Sequence, residues 1–281
     1  MATATPTIPA VARLLALALP ARRGEPWTVE ALTAPGAPTV LSSGSRRLVV
    51  QADGSRVEVL PESESYPRLP GAVADLADGE TAAVEDLTRR LLRIVLAKLD
   101  AAQAPRGPWT PDFAERDRAR RVGDLTELGL ALLDYGVMPG QHERTDGTVL
   151  AWQTADDGVW QAYTVTGHTG ATLRYQGPLR GVYAVLPSVL RPIDAPAPVT
   201  SAEPVSPTVF TRYLTDRFPQ MRPVCGDDVE SGGGQEPSAS VGLPDSPSGE
   251  HANDPVDDHT TVCAEFSVGF DLLLSAVRHL A

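Results

Sequence analysis

Residues 251–263, HANDPVDDHTTVC, contain a dense set of side chains that can bind metals. They include two histidines, three aspartates and a cysteine, and these side-chain types are common zinc and transition-metal ligands. The surrounding run is rich in Gly, Pro and Ser, and a proline separates His251 from His259, so little in the sequence would orient a ligand shell. We therefore expect a solvated acidic linker and no cofactor, with His251, Asp254 and His259 as a weak metal alternative.

Two cysteines, Cys225 and Cys263, frame this acidic stretch. A disulfide between them would close a long loop. It would stabilise the fold by about 4 kcal/mol because it lowers the conformational entropy of the unfolded chain. In a reducing cytoplasm, both cysteines would instead remain reduced thiols. The compartment decides between these two states, and the sequence leaves both open.

Negative charge is concentrated in one segment of the chain. Residues 226–262 contain nine Asp or Glu and no Lys or Arg, so they carry −9 of the net charge of −12. The remainder is nearly neutral, which excludes a general polyanion binder and a whole-surface mimic of nucleic acid. Arg116, Arg120 and Arg121 form a dense basic cluster, but acidic residues intervene and aromatic residues are absent. We expect a solvated helix face there, and a nucleic-acid contact through these arginines is the less favoured alternative.

The apolar residues near the start of the sequence bear on where in the cell the protein is located. The sequence contains no run of the roughly 20 apolar residues that a membrane-spanning helix needs. Residues 14–19 are apolar, but Arg13 directly precedes them and Arg22 follows closely, which favours an amphipathic helix over a signal peptide. We expect a cytoplasmic protein, and its marked preference for Arg over Lys is typical of a GC-rich bacterial genome.

Two meanders of strands dominate the predicted fold, which we assign to the α+β class with antiparallel sheets flanked by helices. In the first meander, a turn at Asp53-Gly54 would place Val50 opposite Val57. In the second, a turn at Asp157-Gly158 would place Trp152 opposite Tyr163 and leave Trp160 on the wetter face. A bulged turn would reverse this second assignment, because a one-residue slip exchanges the two faces of a strand.

The rest of the chain is predicted to be linker and a terminal amphipathic helix. Prolines recur through residues 191–207, and a short helix follows them. The last helix has an apolar stripe that needs a surface to pack on, either on the same chain or on a partner; the stripe comprises Phe266, Phe270, Leu273, Val277 and Leu280. The predicted regions are a helix-and-meander half at 1–105, a second half at 106–190 that is either separate or part of the same domain, a Pro-rich linker with a short helix at 191–224, a disordered acidic linker at 225–263, and a docking helix at 264–281.

Catalytic signals are weak in this sequence. His168 in GHTG and His142 in PGQHE are expected at loop tips, and Asp156-Asp157 is expected in a turn. No motif of a nucleophilic hydrolase, metalloprotease or nucleotide-binding loop is present. If the protein is an enzyme, a hydrolase or transferase with a pocket between the sheets, then His168, His142, Asp156 and Asp157 are its candidate catalytic residues.

Exposed aromatic residues give the favoured functional hypothesis. Trp160 on the wetter face of the second meander would form a patch for a partner protein with Tyr175 or Tyr183. Phe266 and Phe270 of the terminal helix would add a second, tethered contact. We therefore expect a non-catalytic protein-binding adaptor or accessory factor rather than an enzyme, with a partner whose identity the sequence does not give.

Overall fold

The computed structural model describes residues 8–30, 38–62, 69–77, 79–104, 110–144, 147–190, 208–224, 228–231, 237–244 and 255–281. The chain divides into two compact units, Met1–Pro108 and Trp109–Ala281, which we call the N-terminal and C-terminal units. Each combines helices with an antiparallel sheet, which confirms the predicted α+β class.

The N-terminal unit is a meander of short strands with helices before and after it. Its elements are α1 (Ile8–Ala18), β1 (Thr28–Val29), β2 (Thr39–Ser43), β3 (Arg46–Asp53), β4 (Arg56–Pro61), β5 (Ala72–Asp75), α2 (Glu80–Arg90), a π-helical stretch (Leu91–Val95) and α3 (Leu96–Gln103). Each strand pairs with its neighbour in sequence. Helix α1 buries Val11, Ala12 and Leu15 and packs against β2 and β3.

The β3–β4 hairpin forms, but its predicted register was wrong by two residues. The turn lies at Gly54-Ser55, with Gly54 at a φ of 63°, and Val50 therefore pairs with Val59 instead of Val57. An even shift leaves every side chain on its predicted face, because side chains alternate along a strand. The expected apolar face is accordingly buried.

The C-terminal unit is built on a second, larger sheet. Its elements are α4 (Pro111–Asp134), β6 (Gly140–Arg144), β7 (Gly147–Gln153), β8 (Val159–Thr164), β9 (Gly170–Pro178), α5 (Arg180–Tyr183), α6 (Leu186–Val189), α7 (Val209–Arg217), β10 (Arg222–Pro223), β11 (Val229–Ser231), β12 (Ser238–Gly242), β13 (Thr261–Gly269) and α8 (Phe270–Leu280). The strands follow the order β10-β11-β12-β13-β9-β8-β7-β6, with every pair antiparallel. Strand β13 therefore lies at the centre, beside β9.

The segment predicted as a disordered acidic linker contributes strands to this sheet. Strands β11 and β12 lie within it, and β13 spans its end and the first residues of the predicted docking helix. The prediction was wrong for these residues because alternating burial along 261–269 is a strand pattern, which the Gly, Pro and acidic content around it obscured. Residues 225–227, 232–236 and 245–254 of the predicted linker lie outside the described ranges.

The second predicted hairpin turn was also wrong, and here the faces are exchanged. Residues 154–158 form a longer loop between β7 and β8, so Trp152 pairs with Trp160 and not with Tyr163. This register differs from the predicted one by an odd number of residues, which turns β8 over. Trp160 is therefore in the core with 1% of its surface exposed.

Helix α8 docks on its own unit. Its apolar stripe is buried against neighbours that include α4 and α6, and it begins at Phe270, directly after β13. The indole Nε1–H of Trp152 donates a buried hydrogen bond of 2.8 Å to the carbonyl of Leu280, which caps the last turn. Phe266, predicted within this helix, instead lies on β13. The terminal helix is therefore part of the core and not a tethered contact.

The hydroxyl end of Tyr175 lies in a pocket that excludes side chains at three glycines. A Cβ atom at Gly181 would lie 2.1 Å from the tyrosine hydroxyl oxygen, and Cβ atoms at Gly158 and Gly177 would lie 2.6 and 2.7 Å from it. The hydroxyl donates to the carbonyl of Pro178 at 2.8 Å, which fixes its position. Small residues at these positions let β9 and α5 enclose the ring.

We expect Gly181→Ala to lower the free energy of unfolding by about 2 kcal/mol, because the buried ring of Tyr175 has no room to move. The matched control is Gly123→Ala in the interior of α4, where a Cβ meets no atom within 4 Å. That change should raise stability by about 1 kcal/mol through helix propensity. Urea denaturation measures both, and equal effects of the two substitutions would contradict the packing described.

Candidate binding surface

At the centre of the C-terminal sheet, on strands β8, β9 and β13, one face is mostly polar and is exposed or half-buried. Helices α4 and α8 cover the other face, and along β13 the residues alternate between buried and exposed positions from Thr261 to Val268. Strands β8 and β9 follow the same alternation. We call the open side the binding face; at its centre it presents Gln161, Tyr163, Arg174, Gln176, Ser240, Cys263, Glu265 and Ser267.

An ion pair between neighbouring strands lies in the middle of the binding face. Arg174 and Glu265 are directly opposite in the β9–β13 register, and Nε of Arg174 lies 2.7 Å from Oε2 of Glu265. Tyr163 donates its hydroxyl to the same carboxylate oxygen at 3.4 Å, and the guanidinium lies 5.0 Å from the centre of the tyrosine ring. This arrangement holds the two charged side chains in a fixed relation.

The ion pair perturbs the groups that form it. The hydrogen bond to Glu265 raises the pKa of Arg174 above its ordinary value. Burial raises the pKa of Tyr163, and the negative charge of Glu265 adds to the rise. Arg174 and Tyr163 therefore keep their protons at neutral pH, and Tyr163 acts here as a hydrogen-bond donor and not as a base.

A half-open recess of about 350 Å³ lies over this ion pair. Its polar lining comes from four strands and the residues beside them, and Val159 and Leu243 add apolar side chains to that lining. The volume is in the range of sites for small ligands. Six side chains provide its main chemistry: Gln161, Arg174, Gln176, Ser240, Cys263 and Glu265.

The aromatic residues predicted to bind a partner mostly form the core beneath this face. Trp160 contacts Tyr175 with ring centres 4.5 Å apart and Phe266 with centres 5.9 Å apart. These three residues and Phe270 are buried, and burial raises the pKa of Tyr175 to about 12. The expectation of an exposed aromatic patch around Trp160 was therefore wrong, because β8 presents its other side to solvent.

Tyr183 lies apart from that core in a hydrogen-bonded chain. Its hydroxyl donates to the hydroxyl of Tyr213 at 3.2 Å, and Tyr213 donates in turn to Oδ1 of Asp258 at 3.2 Å. The guanidinium of Arg217 lies 4.0 Å from the centre of the Tyr183 ring. Burial raises the pKa of Tyr183, and the hydrogen bond with Tyr213 adds to the rise. The chain links α5, α7 and the 257–260 turn.

The two aspartates proposed for catalysis lie in the β7–β8 loop, as the turn interpretation predicted. Oδ1 of Asp156 accepts from the hydroxyl of Thr154 at 2.6 Å and from the backbone N–H of Gly158. Burial raises the pKa of Asp156, but these hydrogen bonds outweigh it and leave the pKa below its usual value. Asp157 adopts a left-handed φ of 65°, which aspartate tolerates in turns.

The candidate histidines are exposed on two different segments of the C-terminal unit. His168 is exposed at the loop between β8 and β9, and its backbone carbonyl accepts a hydrogen bond from Arg120. His142 is exposed on β6, where it pairs with Val149 and not at a loop tip. Neither residue lines the recess.

The metal candidates are only partly within the described residues. His251 and Asp254 lie outside them, as does Cys225, so the predicted ligand set and the Cys225–Cys263 pairing stay predictions. His259 is exposed, and its Nδ1 lies 3.4 Å from Nη1 of Arg180, a guanidinium that also approaches Asp156 at 3.6 Å. Among the described residues no group of three or more His, Cys, Asp or Glu is arranged to hold a metal ion.

Arg120 and Arg121 of the basic cluster on α4 belong to an ion-pair network and not to a solvated face. Asp117 is buried and accepts from Nη2 of Arg120 at 2.8 Å, from Nε of Arg121 at 2.9 Å and from the backbone N–H of Gly167 at 3.3 Å. Arg121 is buried as well, while Arg116 is exposed and donates to the carbonyl of Asp112. The network ties α4 to the loop that carries His168.

Sequence reasoning did not identify the residues of the binding face. Arg174, Gln176 and Glu265 carry no motif, and the prediction of linker and helix over the residues of β13 hides the strand that brings them together. The alternation of apolar and polar residues in TVCAEFSVG, residues 261–269, was the signal that could have located β13 and its exposed side. Only Tyr175 and Cys263 of the residues that line the recess had been singled out for any reason.

No protein-family model matches this chain, and no curated protein matches it at a significant level. Among the described helices, none has both the length and the apolar composition needed to cross a bilayer.

We expect Asp117→Asn to lower the free energy of unfolding by about 3 kcal/mol at neutral pH, because it leaves Arg121 buried without its carboxylate. Burial raises the pKa of Asp117, but hydrogen bonds from Arg120, Gly167 and Arg121 leave it below its usual value. The stabilisation is therefore present above about pH 4, the unfolded pKa, and is lost as pH falls through the folded pKa.

Near-UV circular dichroism of the Trp152–Trp160 cluster, followed in urea at several pH values, measures this effect in the C-terminal unit. The control is Asp134→Asn, an exposed residue at the end of the same helix, which should change stability little. A difference between wild type and Asp117→Asn that stays constant into strong acid would contradict the assignment.

Proposed function

We propose that this chain is a non-catalytic binding protein that holds a partner protein on the binding face. The observation that carries the proposal is a sheet that helices pack on one side, while the centre of its other side, on β9 and β13, is mostly polar and exposed. A recess at the centre of that side gives the surface a feature to be recognised. Solvated sheet faces of this kind are ordinary in antiparallel sheets, so the recess supplies the specific support.

The proposed contact differs from the one expected from the sequence. The aromatic anchors Trp160 and Phe266 are buried, and α8 is docked, so neither can present a hydrophobic patch without unfolding. The contact we propose is polar, with Arg174, Glu265 and the flanking glutamines as its centre. The proposal keeps a bacterial source and a cytoplasmic location, as predicted from composition and from the first helix.

The alternative function is an enzyme, which requires a different arrangement of side chains. It would need His168 or His142 in a pocket beside a buried carboxylate. Both histidines are exposed, and two of the buried carboxylates, Asp117 and Asp124, are paired with arginines of α4. No observation on the described residues specifically favours this alternative, and it enters the experiment as an outcome.

The experiment uses the full chain, because removing residues 226–281 would take out three strands and a helix of the fold. A photo-reactive benzoylphenylalanine at Ser267, on the binding face, should cross-link one stoichiometric protein partner in the native host. The matched control is the same group at Thr126, exposed on α4, which should not cross-link that partner. In addition, Ser267→Arg should abolish recovery of that partner, whereas Thr126→Arg should leave it unchanged.

Two results would overturn the proposal. One is cross-linking of the same partners from Ser267 and Thr126, which would mean that the binding face is not the contact. The other is purification of the native protein with a retained small metabolite and no protein partner. That second result would favour the enzyme.

A further inference from the structure

The recess contains opposite charges that are fixed side by side. The Arg174–Glu265 pair is joined through Nε and Oε2, so the terminal guanidinium nitrogens and Oε1 are outside that bond. Both side chains line the recess and remain about half exposed, at 56% and 46%. The pair therefore offers hydrogen-bond donors of positive charge next to an acceptor of negative charge.

The arrangement discriminates between classes of small ligand by charge. A simple anion would bind the guanidinium but would meet the carboxylates of Glu265 and Asp228, which also lines the recess. A simple cation would be attracted to these carboxylates and repelled by Arg174. A ligand that carries both charges on neighbouring atoms satisfies both partners, and guanidinium binds a carboxylate through paired hydrogen bonds.

We infer that this recess binds a zwitterionic α-amino acid, with the ligand carboxylate on Arg174 and the ligand ammonium on Glu265. The recess of about 350 Å³ is large enough for such a ligand and lies at the small end of ligand sites. Val159 and Leu243 in its lining provide apolar contacts for a ligand side chain, while Gln161, Gln176 and Ser240 provide neutral hydrogen-bonding groups.

This site goes beyond the proposed partner binding and does not depend on it. Because Arg174 and Glu265 are also the centre of the proposed partner contact, an amino acid in the recess is expected to compete with the partner protein, but each can bind in the absence of the other. The affinity is expected to be low, with a Kd of about 1 mM, because both charged groups are exposed to water and ions.

The test is a titration of the full chain with L-leucine, followed by the side-chain amide signals of Gln161 and Gln176 in nitrogen-15 NMR spectra. L-leucine should shift both signals in a saturable manner. N-acetyl-L-leucine lacks the ammonium and L-leucinamide lacks the carboxylate, and each should bind about fivefold more weakly. N-acetyl-L-leucinamide should not bind measurably.

Two substitutions assign each charge to its partner. Arg174→Gln should bind L-leucinamide as well as it binds L-leucine, because the partner of the ligand carboxylate is gone. Glu265→Gln should bind N-acetyl-L-leucine as well as it binds L-leucine, because the partner of the ammonium is gone. Arg212→Gln, at an exposed position on α7, is the matched control and should keep the wild-type pattern. If a variant fails to fold, the series of capped ligands on the wild-type chain still decides the question.

The inference would be overturned by the absence of saturable shifts up to about 10 mM L-leucine, well above the expected Kd. Equal binding of L-leucine and its doubly capped form would overturn it as well, since charge would then be irrelevant. Neither result bears on the cross-linking from Ser267, so the two proposals fail separately.

Discussion

The pairing of β13 with β9 is the interaction on which the C-terminal unit depends. The two strands are hydrogen-bonded along their whole length, from Thr261 opposite Pro178 to Gly269 opposite Gly170. Strands β10 to β12 join the sheet only through β13, and strands β6 to β8 join it only through β9. Loss of this one ladder would divide the sheet into two small pieces, each with a newly exposed edge.

The same pairing creates the core and the binding face together. On one side of the two strands it brings Phe266 of β13 to Leu173 of β9, beside Trp160, and on the other it brings Glu265 to Arg174. Because neighbouring residues of a strand point to opposite sides, the buried aromatic cluster and the exposed ion pair are set by one register. A change that shifted the register by one residue would exchange them and abolish both.

Local patterns in the sequence were sufficient for the class of the fold and for several elements, including α1, the β3–β4 hairpin and the turn at Asp156. Register was not predictable, because it depends on loop geometry that a two-residue signal such as Asp-Gly does not determine. At β3–β4 the error was even and harmless, whereas at β7–β8 it was odd and moved Trp160 from the surface to the core. The binding face was missed because its residues meet only through long-range pairing, and composition around β13 favoured a linker.

The central position of β13 has a consequence for the order in which the protein acquires its structure on the ribosome. Strands β6 to β9 leave the ribosome before β13. Strand β9 therefore has an unpaired edge until Thr261–Leu280 has left the exit tunnel. During that interval the apolar side of β9, including Leu173 and Tyr175, lacks its covering partner. Until β13 pairs with it, this edge of β9 is open to pairing with strands of other chains, so the separation of the two strands in sequence favours aggregation during folding.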